Sequence, residues 1–104
     1  MARGDARQNL SVSAVETKRL CDAICAIGTA DEAHAFLADI CSPRELADLV
    51  QRLEVAAMLR DGASYVDVSH ATGASSTTVS RVSKCLNGEA GGYRLVLERM
   101  EQNA

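Results

Sequence analysis

The sequence predicts an all-α fold with five or six helices in a single domain. The 104 residues include one proline and no tryptophan, and only 3% are aromatic. The abundant Ala, Leu, Glu and Arg favour helix over sheet, and no segment alternates apolar and polar residues over the length of a strand. We expect the polar residues 1–12 to form a flexible N-terminal arm and residues 13–104 to form the helical domain.

Apolar residues at helical spacing indicate the first two helices. Leu20, Ile24 and Ile27 recur every three or four residues, and a glycine follows them. Thr29 or Asp31 can cap a second helix. The face of that helix predicted to be apolar consists of Ala33, Phe36, Leu37 and Ile40.

The third helix has the clearest start. Ser42 and Glu45 have the spacing of a capping box, and Pro43 lies where its missing N–H costs nothing. The helix should extend to Arg60, about 19 residues or just under 30 Å. Its second half, residues 55–59, is apolar on nearly every side. Such a helix is buried by neighbours all round, and in so short a chain these can belong to a second subunit.

Three shorter helices complete the predicted fold. Ser64 opens one that ends at Gly73, and Ser75 or Ser76 caps the next, which runs to Leu86. Two glycines then precede a last amphipathic helix. Its apolar face is predicted to hold Tyr93, Val96, Leu97 and Met100.

Residues 64–86 have the pattern of a helix-turn-helix, two short helices joined by a tight turn at Gly73. Val68, Val79 and Val82 are predicted to face inward. The outer face of the second helix is mostly Ser and Thr. These residues are mediocre helix formers, but their short hydroxyl groups can donate hydrogen bonds to phosphates and base edges. We predict DNA binding through Ser75, Ser76, Thr77, Thr78, Ser80, Arg81 and Lys84.

The distribution of charge agrees with this prediction. The net charge is −3, which argues against a protein that coats DNA non-specifically. Between Val68 and Gly88, however, there is no Asp or Glu, while His70, Arg81 and Lys84 are present. A local field of this kind is compatible with site-specific binding. The alternative is a helical hairpin with a solvated Ser/Thr face.

Four runs of sequence carry a resemblance to a known family. They are QRLEVA at 51–56, MLR at 58–60, TGASSTTVSRV at 72–82 and CLN at 85–87. They closely resemble the YerC/YecD family of the tryptophan-repressor-like superfamily, over about residues 15–101. The resemblance implies an intertwined homodimer whose two helix-turn-helix units enter successive major grooves of near-palindromic double-stranded operator DNA.

The same resemblance implies a candidate effector pocket. Its residues in this chain are Ser42, Arg52, Arg81 and Cys85. In the family a glycine follows the second arginine, where this chain has Val82, and a serine contacts the ligand's amino group, where it has Cys85. Val82 fills space that a planar ring needs, and a thiol is a poor partner for an ammonium group. We therefore predict no cofactor; a small-molecule corepressor stays open, but tryptophan is disfavoured. Alternatively, the arginines pair with Glu54, Asp67 or Asp48, or Arg81 contacts phosphate.

The cysteines and the N-terminus predict neither a metal site nor a membrane partner. Cys21 and Cys25 are four residues apart, which is not the spacing of a structural zinc site, and no second Cys/His pair accompanies them. With Cys41 and Cys85 they are predicted to be buried thiols that act as small apolar residues. No apolar run approaches the roughly 20 residues of a membrane span, and a signal peptide is not evident. We expect a cytoplasmic protein.

Two other functional classes were weighed against a DNA-binding regulator. His34 and His70 lie on predicted helices without a nucleophile motif, and there is neither a Gly-rich phosphate loop nor a carboxylate pair, so we predict no enzyme and no catalytic residue. A helical protein-interaction module with the same fold but no DNA binding stays open, because the Ser/Thr face has few cations.

Overall fold

The computed structural model describes residues 12–104, and this part of the chain contains six helices and no strand. The all-α prediction is therefore confirmed. The predicted N-terminal arm lies outside the described residues, apart from Val12. The helices are α1 (Ala14–Cys25), α2 (Ala30–Ile40), α3 (Pro43–Arg60), α4 (Tyr65–Thr72), α5 (Ser76–Leu86) and α6 (Gly92–Gln102).

Side-chain caps mark the start of α1, α3, α4 and α5. The capping box predicted at α3 is confirmed: the Ser42 hydroxyl accepts from the Glu45 N–H at 3.1 Å, and the Glu45 carboxylate accepts from the Ser42 N–H at 2.8 Å. Of the two candidate caps of α5, Ser75 is the one used. A second capping box, which joins Ser13 to Glu16 at the start of α1, was not predicted.

The chain divides into two compact units between Ile40 and Cys41. In the first unit, no residue of α1 or α2 is buried. Burial of the thiols was predicted wrongly for Cys21 and Cys25, which are exposed. The reason is that no residue of α1 is buried among the described residues, so its small apolar residues are exposed.

In the second unit, α3 packs against α4, α5 and α6, and α5 also packs against α4 and α6. Within the single chain, Val55 and Ala56 in the second half of α3 are fully buried and residues 57–59 are partly buried. No helix formed by residues 12–104 is long and apolar enough to cross a membrane. The core cluster consists of Val55, Ala56, Val68, Ala74, Val79, Val82 and Leu97.

Candidate nucleic-acid interface

The turn between α4 and α5 is fixed by a compact set of hydrogen bonds. Gly73 ends α4 with a φ of 75°, a left-handed conformation that favours glycine. The Ser69 hydroxyl donates to the carbonyl oxygen of Ala74 at 2.6 Å. The Thr72 hydroxyl donates to the carbonyl oxygen of Val68 at 2.7 Å and accepts from the Ala74 N–H at 3.2 Å. These hydrogen bonds connect the end of α4 to Ala74, the residue before the Ser75 cap of α5.

Two long side chains tie this motif to its surroundings. The Tyr65 hydroxyl of α4 donates to the Ser83 hydroxyl of α5 at 2.6 Å, and Gln51 Nε2 of α3 donates to the carbonyl oxygen of Thr72 at 3.2 Å. Sequence reasoning missed both contacts. The partners are 18 and 21 residues apart, so no local pattern marks them.

The helix α5 has two sharply different faces. Val79 and Val82 are buried in the core, as predicted. On the opposite side, five predicted DNA-binding residues are exposed and make no side-chain hydrogen bond or ion pair with another residue of the described chain. Their donors and acceptors are open to an external partner. They are Ser76, Thr77, Ser80, Arg81 and Lys84.

The other two predicted DNA-binding residues are engaged within the chain. The Ser75 hydroxyl accepts from the Thr78 N–H at 3.1 Å and donates to the Thr78 hydroxyl at 3.1 Å. Ser75 is therefore the N-cap of α5, and Thr78 is half-buried behind it. Both hydroxyls have structural partners that a base or phosphate would have to share.

A cavity of about 230 Å³ lies between α3, α5 and α6. It brings together three of the four residues of the predicted effector pocket, Arg52, Arg81 and Cys85. Ser42 is not in its lining and caps α3 instead. Cys85 is exposed rather than buried as predicted, because it faces this open cavity. The remaining lining residues are Thr78, Val82 and Tyr93.

The charges in this cavity are not neutralised from within. Neither Arg52 nor Arg81 makes an ion pair with the described residues, so the alternative pairing with Glu54, Asp67 or Asp48 does not form there. Tyr93 was missed as a lining residue, because its spacing indicated only the apolar face of α6. All four cysteines are free thiols, and residues 12–104 contain no cluster of three or more potential metal ligands.

Comparison with known proteins identifies the family. The family model of the Trp repressor protein matches residues 15–101. YerC of Bacillus subtilis (strain 168), itself uncharacterised, is 39% identical over 87 residues, which is 84% of either chain. A TrpR-like protein from Eubacterium eligens ATCC 27750 has 43% identity and a TM-score of 0.75, over 90% of this chain and 95% of that one. A protein from Staphylococcus aureus, solved as a candidate Trp repressor, has 32% identity and a TM-score of 0.78, over 97% and 95%. The chain therefore belongs to the Trp repressor family, within its YerC group.

Proposed function

We propose that the protein is a sequence-specific, DNA-binding transcriptional regulator that acts as a homodimer through its helix-turn-helix. The observation that carries this proposal is the outer face of α5. Five exposed side chains with unused hydrogen-bonding groups lie on a helix whose opposite face is fixed in the core. A rigid helix with a polar outer face suits the major groove.

The chemistry of that face supports DNA over a protein surface. Arg81 and Lys84 can bind phosphate or the acceptors of a guanine edge, and the short hydroxyls of Ser76, Thr77 and Ser80 can contact backbone or bases without bulk. A protein-binding face would instead be expected to offer large apolar or aromatic anchors. None of these five residues is apolar.

Exposed apolar side chains support the homodimer. On α6, Leu95, Val96 and Met100 are each about half exposed, and so are Leu20 and Ile24 on α1. A second copy of the chain would bury apolar surface of this kind, which a small monomer rarely leaves open. A solution mass of one 11.0 kDa chain at micromolar concentration would contradict the dimer.

The DNA proposal is tested with Arg81→Ala and Lys84→Ala. The probe is duplex DNA selected by the wild-type protein from a random-sequence library, with an unselected duplex for comparison. We expect each variant to bind the selected duplex more weakly while remaining dimeric. If the lost group is a phosphate contact, the slope of log affinity against log salt should fall by about 0.9.

The matched control is Arg99→Ala. Arg99 is an exposed cation of α6 with no side-chain hydrogen bond or ion pair among the described residues. Arg99→Ala removes one positive charge, as each of the two test variants does. Equal binding by wild type, Arg81→Ala and Lys84→Ala would show that this face does not bind DNA. A wild type with no salt-dependent binding to any duplex would favour the protein-interaction module.

We also propose that the cavity beside α5 holds a small-molecule effector with an anionic group. Arg52 and Arg81, whose guanidinium groups have no partner among the described residues, line it together with Thr78 and Tyr93. We expect L-tryptophan to leave the thermal unfolding midpoint unchanged, because Val82 and Cys85 suit neither its ring nor its ammonium group. A stabilising shift that is lost in Arg52→Gln would contradict this expectation.

A further inference from the structure

Arg94 lies in the first turn of α6, but its side chain reaches back to the carboxyl end of α5. Its Nη1 donates to the carbonyl oxygen of Leu86, and its Nη2 donates to that of Gly88 at 2.9 Å. A positive charge in the first turn of a helix opposes the helix dipole, whereas at the carboxyl end it is favourable. The guanidinium is therefore poorly placed for α6 and well placed for α5.

The connection between the two helices leaves room for this guanidinium. Gly91 precedes α6 with a φ of 72°, a conformation that favours glycine. A Cβ atom at Gly91 would lie 3.2 Å from Nη2 of Arg94, which is a tight approach. A side chain at position 91 would therefore strain the backbone and would also crowd the guanidinium of Arg94.

Arg94 adds side-chain hydrogen bonds at the carboxyl end of α5. The rest of the helix is held by the Ser75 cap, by the hydrogen bond from Tyr65 to Ser83 and by three buried residues, Val79, Val82 and Leu86. Among the described residues, Arg94 alone supplies side-chain hydrogen bonds to the carbonyl oxygens of residues 84–88. The last carbonyls of a helix have no intrahelical partner; that of Cys85 accepts from the Gly88 N–H at 3.1 Å, whereas those of Leu86 and Gly88 accept from Arg94.

We propose that Arg94 is a positioning residue of the recognition helix. By holding two carbonyl oxygens at its carboxyl end, it keeps the last turn of α5, which carries Lys84, in the geometry that DNA binding requires. The proposal rests on the DNA-binding function proposed above. Arg94 acts through backbone order and touches no DNA.

The test compares Arg94→Lys and Arg94→Ala with the control Arg99→Ala. Lysine keeps the charge but loses the planar fork that binds two carbonyls at once. In hydrogen exchange of the free protein, both Arg94 variants should exchange faster at residues 84–88 and unchanged at the start of α5. In DNA binding, both should lose about tenfold in affinity for the selected duplex, with an unchanged salt slope.

Three results would overturn the proposal. A salt slope lower by about 0.9 would make Arg94 a phosphate contact instead. Unchanged DNA affinity would refute a role in positioning, and unchanged exchange would refute it whether or not the protein binds DNA. Faster exchange in a protein that binds no duplex would refute only the DNA-binding function.

A second variant covers the case in which Arg94→Ala does not fold. Arg94→Met keeps a long unbranched side chain but removes every donor to the two carbonyls. It should reproduce the faster exchange at residues 84–88. Wild-type exchange in a folded Arg94→Met protein would contradict the proposal.

Discussion

Two valines of α4 allow a sharp test of the packing beneath the helix-turn-helix. Val68 is 0% exposed and belongs to the core, whereas Val66, two residues earlier, is 64% exposed. We expect Val68→Ala to lower the free energy of unfolding by about 2 kcal/mol more than Val66→Ala. Both substitutions replace valine by alanine in the same helix, so the change in helix propensity nearly cancels.

The size of this difference follows from burial. Val→Ala removes two methyl groups, and each costs about 0.8 kcal/mol of transfer free energy when it leaves a fully buried site. At Val66 only about a third of this transfer free energy is lost, because most of the residue is already in water. At Val68 the cavity adds roughly 24 cal/mol per Å³, about 1 kcal/mol for a space on the order of 40 Å³.

The assay is urea unfolding followed by far-ultraviolet circular dichroism. All proteins are compared at one concentration, because the stability of an oligomer depends on concentration. If both variants lose equally large amounts of unfolding free energy, another surface must cover the outer face of α4 in solution. Equal and small losses would refute the packing of Val68 in the core.

Three further substitutions test single features. Gly73→Ala should cost about 1 kcal/mol of unfolding free energy through its left-handed φ alone, because no neighbouring atom lies within 4 Å of the added Cβ. Gly92→Ala, at a helical position with equal space, should be neutral or stabilising. The reverse order of urea midpoints would contradict this expectation. The pKa of Glu45 is held below the usual value of a glutamate carboxyl by the backbone N–H of Ser42 and then by its hydroxyl. The pKa of Glu45 is therefore lower in the folded than in the unfolded protein. Its carboxylate stabilises the fold at a pH above the unfolded pKa, and this contribution is lost as the pH falls through the folded pKa. In a carboxyl NMR titration, the midpoint of Glu45 should be lower in the wild type than in Ser42→Ala, which keeps the backbone N–H but loses the hydroxyl, and equal midpoints would refute the contribution of the hydroxyl. Ser75→Ala should lower the unfolding free energy by about 1 kcal/mol through loss of the α5 cap, and a loss under roughly 0.3 kcal/mol would mean that another group caps the helix.

Features encoded in a few adjacent residues could be predicted from the sequence. Ser42 and Glu45 are three residues apart and determine the start of α3 by contacts with each other. Gly73 ends α4 through its own backbone freedom. Likewise, Val79 and Val82 share one face of α5 because of the helical period alone, which also fixes which residues face outward.

Features that depend on packing could not be predicted in this way. The contact from Tyr65 to Ser83 and the return of Arg94 to the end of α5 require the relative placement of whole helices. The exposure of Cys21 and Cys25 was missed for a related reason. A periodic apolar pattern shows that a face is suited to burial, but not whether the same chain supplies the surface that buries it.

The two helices of the first unit are short and have no buried residue, which favours pairing of two chains. Isolated helices shorter than about 12 to 15 residues are marginal in water, and α1 and α2 have 12 and 11 residues without one that is buried. Yet Leu20 and Ile24 present a regular apolar face, as Val96 and Met100 do on α6. Two copies of one chain can cover surfaces of this kind without any other protein, and a net charge of −3 per chain opposes their approach only weakly. If pairing is what stabilises α1 and α2, diluting the protein should reduce its helix content together with its dimer fraction. Helix content that stays constant while the dimer dissociates would mean that α1 and α2 do not depend on pairing for their stability.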